Sequence, residues 1–354
     1  MKGIKKSVVE LPEYSVVQDT SVVKLNQNES PYAIPAALKK EIVGKLNEIE
    51  WNRYPCLKTC QLVDAISDYT DYPASGIVAG NGSNEIIQAV LLSICKAGDK
   101  IILVSPGFSI YAHVAKIMGL TITEVPLLDD FRFDVSSIIE GSSGARIVII
   151  ASPNNPTGTA LSIEELKKIA ENIEGMLAVD EAYFEFYKKT AQNLLEKFEN
   201  IIIMRTFSKA FGLAGIRLGY LLAKPELTKE IQKAKLPFSV GVFQQIAGEI
   251  VMRNKEFLED VVAKIIEQRE MVFSQLKQIP GIKPIPSCTN FILFELKKKS
   301  AKDVFNTLYK HGVLLRYFEN PKLRNMLRVT IGTPGENRLF LERLKEILGG
   351  KVCR

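Results

Sequence analysis

Between about residue 75 and residue 250, short β-branched runs alternate with stretches whose apolar residues recur every three or four positions. The runs are GIVAG, KIILVS, TITEVP, ARIVIIAS, GMLAVDE, NIIIMRTF and IRLGYLLA, and the stretches between them include NEIIQAVLLSICKAG and SIEELKKIAENI. Strand and helix periods that alternate in this way predict an α/β fold, with a largely parallel sheet covered by helices on both faces. The strand candidates are apolar throughout, as a sheet buried on both sides requires.

The pattern changes near residue 254, where a long amphipathic run, EFLEDVVAKIIEQREMVFSQLKQI, begins. It leads to TNFILFEL, a helical AKDVFNTLYKHG, the strand MLRVTIG and a last helix from Pro334. These predict a small α+β unit. The stretch up to about residue 45 cannot bury a core alone and is expected to pack on that unit. The expected division is an N-terminal arm with part of the small domain (1–45), a large domain (46–254) and a small C-terminal domain (255–354).

Composition narrows the classes of function. A chain of 354 residues with 46% hydrophobic and 24% charged residues is ordinary for a globular protein with more than one domain. The net charge of +6 is mild and no basic block occurs; KKK at Lys297–Lys299 reads as a solvated turn, so no nucleic-acid partner is expected. No apolar run reaches about 18 residues, so no membrane span is expected. The N-terminal MKGIKKSVVELPEY lacks a signal-peptide core, and a cytoplasmic location follows. Five cysteines, an odd number, fit a reducing compartment. Cys56 and Cys60 are four apart, but with only His113 and His311 in the chain no metal site is expected.

The candidate chemistry falls just after the strands. GNGSNEII follows GIVAG, SPGFSIY follows KIILV, SPNNPTGT follows RIVIIA, DEAYFEF ends MLAV, and SKAFGLAGIR follows IIIMRTF. Ligands of open α/β sheets bind outside the carboxyl ends of the strands, so five such loops predict one site. GNGSNE is either a tight strand–helix turn or a phosphate cradle at a helix N-terminus. It matches neither GxGxxG nor the P-loop, so a phosphate there belongs to another kind of ligand. Ser208 and Arg217 offer a hydroxyl and a charged fork to the same anion. Lys209 lies between them, where neighbouring cations and desolvation make an amine nucleophilic. Asp180 ends an apolar strand and needs a cationic partner, which a protonated pyridine nitrogen supplies. A phosphate cradle, a Schiff-base lysine and an aspartate for a pyridinium are the requirements of pyridoxal 5′-phosphate (PLP).

With those residues in place, the chain resembles the fold-type I PLP-dependent aminotransferases, and among them the histidinol-phosphate aminotransferases. LNQNESPY, RYP, GNGSNEII, SPGFSIY, SPNNPTG, DEAYFEF, RTFSKAFGLAGIRLGY and LRVTIGTPGEN, in that order, carry the likeness over nearly the whole chain. It implies a mainly parallel seven-stranded sheet between helices, plus a small α+β domain. It implies that Lys209 forms the internal aldimine and moves the proton, and that Asp180 pairs with the pyridine nitrogen. Tyr183 and Asn155 would hydrogen-bond the phenolic oxygen, and Phe108, where many relatives have Tyr, would stack on the ring. Gly82, Ser83, Asn84, Thr206, Ser208 and Arg217 would surround the phosphate. Tyr54 of RYP would reach the phosphate of a neighbouring subunit, which makes a homodimer the expected assembly. Arg328 would take the substrate carboxylate, and Arg316 and Tyr14 would help hold a distal anion, with Asn155 beside the substrate.

The resemblance therefore implies a ping-pong aminotransferase taking an amino donor and a 2-oxo acid acceptor. The expected pair is L-histidinol phosphate and 2-oxoglutarate, giving imidazole-acetol phosphate and L-glutamate in histidine biosynthesis. An aromatic amino-acid aminotransferase and a threonine-phosphate decarboxylase of cobalamin synthesis remain alternatives. About 25 residues precede LNQNESP, too few for the DNA-binding domain of regulators built on this fold, so an enzyme is expected.

Overall fold

The computed structural model describes residues 3–13 and 16–349. Its strands in chain order are β1 (Val23–Lys24), β2 (Ile77–Gly80), β3 (Lys100–Ser105), β4 (Thr121–Pro126), β5 (Ala145–Ala151), β6 (Met176–Asp180) and β7 (Ile201–Thr206). They continue with β8 (Gly219–Leu222), β9 (Ile282–Pro284), β10 (Phe291–Leu296), β11 (Val313–Leu314), β12 (Arg316–Tyr317) and β13 (Met326–Thr330). The seven apolar runs all become strands of one seven-stranded sheet, in the order β2-β8-β7-β6-β5-β3-β4. Every residue of β7 is buried, and in β5 only Arg146 is exposed. TITEVP, with the most polar pattern of the set, is the edge strand β4 and buries only Val125 fully.

The sheet is parallel except at β8, which runs antiparallel to both β2 and β7. The reason is the connection: twelve residues, 207–218, join β7 to β8 and hold only the 3-10 turn Ala214–Ile216. A parallel return usually runs through an α-helix that crosses the face of the sheet, and this connection contains none. Strand β8 also starts later than the run IRLGYLLA predicts. Arg217 has left-handed backbone, φ 58°, and belongs to the loop rather than to the strand.

Helix Glu256–Lys277 leads into a second sheet, of order β12-β13-β10-β9. This sheet is buried by its own helices, with Phe294 of β10 and Phe340 of helix Pro334–Leu348 at 6.1 Å between ring centroids. The N-terminal stretch serves both units. Strand β1 pairs in parallel with β11, while helix Ala36–Asn47 buries Leu38 and Ile42 and packs on helix Val242–Arg253. No described helix is long and apolar enough to cross a membrane.

A buried ion pair ties the carboxyl ends of β6 and β7 together. Arg205 lies 2.9 Å from Glu181, both side chains 2% exposed, and its guanidinium sits 3.9 Å over the Phe184 ring. Arg205 also donates to Thr190, which donates to Glu181, and the Ala191 N–H completes the carboxylate's shell at 2.7 Å. The pair is thus hydrogen-bonded on both sides, the condition under which a buried charge is tolerated.

Candidate active site

A cleft of about 610 Å³ opens at the carboxyl ends of β3, β5, β6 and β7. Ser83, Asn84, Phe108, Asn155, Asp180, Tyr183, Thr206, Ser208, Lys209, Arg217, Arg316 and Arg328 all line it. Five loops far apart in sequence thus meet at one edge of the sheet.

Lys209 follows β7, and its Nζ donates to the Gln27 carbonyl at 3.0 Å. Burial pushes its pKa down to about 8, aided by the Arg328 and Arg217 charges and opposed by Glu29 and Asp180. A substantial neutral fraction near pH 8 makes this amine nucleophilic. Asp180 lies on the same floor. Burial raises its pKa to about 6, although Tyr111 Oη donates to Oδ2 at 2.6 Å and the Ala182 N–H donates to Oδ1 at 3.0 Å. A carboxyl group so desolvated is short of positive charge, which a protonated ring nitrogen would supply.

The anion cradle is made by the turn before helix Gly82–Ile94 together with the β7–β8 loop. Arg217 Nη1 donates to Ser208 Oγ at 3.1 Å. Thr206 Oγ1 accepts from the Ser208 N–H at 3.2 Å. Gly82 has φ +76°, and a Cβ there would lie 2.5 Å from Arg217 Nη2. Only glycine lets the guanidinium approach this turn. Hydroxyls, a guanidinium and helix N–H groups are the donor set of a phosphate site. The cradle, the nucleophilic amine and the cation-seeking carboxylate together fit PLP.

Around them, Tyr183 Oη accepts from Asn28 Nδ2 at 2.8 Å, and burial pushes its pKa up to about 12, so it stays a donor. Arg328 donates to Asn155 Oδ1, and to the Asn26 carbonyl at 2.7 Å. Its guanidinium lies between the Phe291 and Phe318 rings, at 5.1 and 5.7 Å. Arg316 of β12 is the direct cross-strand partner of Arg328 of β13, so both side chains leave the sheet on one face.

Among the described residues, one predicted side chain is not brought to this cleft. Tyr54 is 82% exposed and stacks on Phe238 at 4.6 Å, while Trp51 packs on Phe243 at 5.0 Å. Tyr14 lies outside the described residues. Other residues of the site had no role assigned from the sequence. Tyr111 is one, although it sits three positions after Phe108 on the helix that SPGFSIY opens. Asn26, Gln27 and Asn28 are others; the motif LNQNESPY marked them without showing that they cross to Arg328, Lys209 and Tyr183.

Comparison with known proteins agrees with this geometry. Residues 20–344 match the family Aminotransferase class I and II. Histidinol-phosphate aminotransferase 1 of Carboxydothermus hydrogenoformans is 40% identical over 346 residues, covering 97% of this chain and 98% of that one. The histidinol-phosphate aminotransferase of Thermococcus gammatolerans is 36% identical over 348 residues, covering 98% of each. Among solved structures, histidinol-phosphate aminotransferase from Sinorhizobium meliloti in complex with pyridoxal-5′-phosphate superposes with a TM-score of 0.91 at 22% identity, over 99% of both chains. L-threonine-O-3-phosphate decarboxylase from Porphyromonas gingivalis shares the fold at TM-score 0.81 and 20% identity, over 93% of this chain and 100% of that one.

Proposed function

The chain belongs to the class I and II aminotransferases and is a PLP-dependent transaminase, and from that premise we propose that it transfers the amino group of L-histidinol phosphate to 2-oxoglutarate. The products are imidazole-acetol phosphate and L-glutamate, which places the reaction in histidine biosynthesis. The observation that carries this reading is the Arg316–Arg328 pair in the lining of the cleft. Like charges directly opposite across two strands are destabilising unless an anion lies between them. A phosphate in one half-reaction and carboxylates in the other meet that need. The names of the relatives that are 36–40% identical support the same donor.

When bound, PLP supplies an aldehyde for the amino group and a protonated ring that accepts the electron pair left at the α-carbon. Ser208, Thr206, Arg217 and the N–H groups at Ser83 and Asn84 hold its phosphate. The Asp180 carboxylate keeps the proton on the ring nitrogen, and Tyr111 and the Ala182 N–H orient that carboxylate. Tyr183 and Asn155 face the phenolic oxygen, and Phe108 covers the ring. Lys209 Nζ takes the proton from the donor's α-carbon and, in the return half-reaction, gives one back to that carbon of the acceptor. With its pKa lowered to about 8, it changes charge near neutral pH, as a general base must. Arg328 binds the 2-oxoglutarate carboxylate bidentately, and Arg316 meets the distal anion.

The reading includes a cytoplasmic homodimer in which Tyr54 reaches the neighbouring subunit's phosphate, and a division into large (46–254) and small (255–354) domains. The test is an absorbance titration of the holoenzyme without acceptor, using L-histidinol phosphate, phenylalanine and threonine phosphate in separate cuvettes. Conversion of the cofactor band at the lowest concentration with histidinol phosphate is expected. A lower midpoint with phenylalanine, or carbon dioxide release from threonine phosphate, would replace the substrate.

A further inference from the structure

Cys56 and Cys60 have no part in this chemistry, yet they form the closest thiol pair among the described residues. Their sulfurs lie 3.3 Å apart and both residues are exposed. Cys60 is the first residue of helix Cys60–Thr70, which is anchored by buried Leu62, Val63, Ala65 and Ile66. Cys56 lies in the preceding segment, whose residues 51–54 and 56–58 are exposed and which carries Tyr54. The Thr59 that joins the two has left-handed backbone, φ 51°, and its N–H donates to the Cys56 carbonyl at 3.2 Å. This turn folds the two side chains onto each other.

We propose that Cys56 and Cys60 form a reversible disulfide within one subunit, and that the bond draws the Tyr54 segment towards helix Cys60–Thr70 and slows the enzyme. A disulfide holds its sulfurs about 2.0 Å apart, so the pair must close by about 1.3 Å. The anchored helix cannot supply that movement, so the exposed segment does. Its carbonyl at Cys56 is held by Gln245 Nε2 at 3.1 Å. The adjacent Gln244 donates to Asn81 Oδ1 at 3.0 Å and to the Arg217 carbonyl at 3.1 Å. Movement at Cys56 is therefore connected to Tyr54 two residues away and, through one helix end, to the residue that holds the cofactor phosphate.

The oxidant is a hydroperoxide. Cys56 is the attacking sulfur, because the Cys60 N–H and then the Cys60 thiol stabilise its thiolate and hold it below the ordinary thiol range. Its thiolate attacks one peroxide oxygen, the O–O bond breaks, and the other oxygen leaves as water after taking a proton. Cys56 is then a sulfenic acid. The Cys60 sulfur attacks it, the S–O bond breaks, and a second water leaves with the Cys60 proton. The two thiols lose two electrons in all, and one hydrogen peroxide becomes two waters.

The effect on turnover rests on the proposed place of Tyr54 in the neighbouring subunit's site; the bond itself does not. The experiment treats the holoenzyme with a few equivalents of hydrogen peroxide, then measures intact mass, linked peptides and transaminase activity. The expected result is a loss of two hydrogens per chain, a Cys56–Cys60 linked peptide, and a several-fold fall in activity that dithiothreitol reverses. The double variant Cys56→Ser/Cys60→Ser should start with parental activity and keep it under peroxide. Absence of the linked peptide, or its formation with unchanged activity, would overturn the proposal. So would an equal loss of activity in the double variant. A reduced protein inactive with every amino donor would refute the transaminase substrate reading, while the peptide map would still decide whether the bond forms.

Discussion

Asp180 shows how a single side chain trades stability for chemistry. Its folded pKa of about 6 lies above the ordinary carboxyl value of about 3.9. Between those values the folded protein binds more protons than the unfolded chain, so the cofactor-free protein loses stability as pH rises through the window. The full penalty, about 3 kcal/mol for two pKa units, applies above pH 6. Asp180→Asn should therefore make the cofactor-free protein more stable than the parent at pH 8 by up to about 3 kcal/mol, with the difference gone near pH 4. Paired denaturant titrations check this. In the holoenzyme the same change should cut turnover on the order of a hundredfold, because the ring nitrogen loses its counter-charge. Arg316 belongs to the same scale. Arg316→Gln should raise the half-saturating concentration of the phosphorylated donor about tenfold to a hundredfold in the half-reaction without acceptor, the worth of a hydrogen bond to a charged group, and leave the half-reaction with phenylalanine near its parental rate. Equal losses with both donors would remove Arg316 from anion recognition.

At the scale of elements, the site depends on strand ends held in register. Glu181 and Arg205 sit beside Asp180 and Thr206 at the ends of β6 and β7, and their ion pair locks those ends together. Arg205→Met strands a buried carboxylate and should destabilise the protein by about 3–5 kcal/mol. Adding Glu181→Leu should recover most of that loss, since the unpaired charge is the cause. Urea unfolding of the two variants decides the point; an additive loss would mean that packing of Arg205 on Phe184 matters more than the pair. Six of the strands were legible in the chain because burial on both faces leaves continuous apolar runs, and the edge strand β4 was legible through its β-branched residues alone. The reversed direction of β8 was not, since an apolar run has no polarity; it shows only in the strand pairing and in a β7–β8 connection without an α-helix.

For the whole molecule, the exposed aromatic surface is the feature a single subunit leaves unexplained. Trp51 is 65% exposed, Leu236 74% and Tyr54 82%, with Trp51 packed on Phe243 and Tyr54 on Phe238. If Tyr54 works in the neighbouring subunit's site, Tyr54→Ala and Lys209→Ala subunits should complement. Each protein alone should be nearly inactive, and random pairing should restore about a quarter of the parental sites. Mixed assemblies with no gain over either variant would confine Tyr54 to its own subunit.

Read along the chain alone, the residues establish the α/β class, the seven strands, a second sheet after residue 254 and the residue types from which the roles of Lys209, Asp180 and the GNGSNE turn are proposed. Each of these is written in local periodicity or in residue types at short spacing. Tertiary structure decided what meets across the chain. Asn28 reaches Tyr183 over 155 residues, and Asn26 meets Arg328 over 302. Tyr111 becomes the support of Asp180 only when two parallel strand ends and the helix after β3 converge. Arg316 and Arg328 become a pair only through antiparallel register. Such contacts leave no local pattern, because periodicity reports which face a residue occupies and not which distant residue lies opposite.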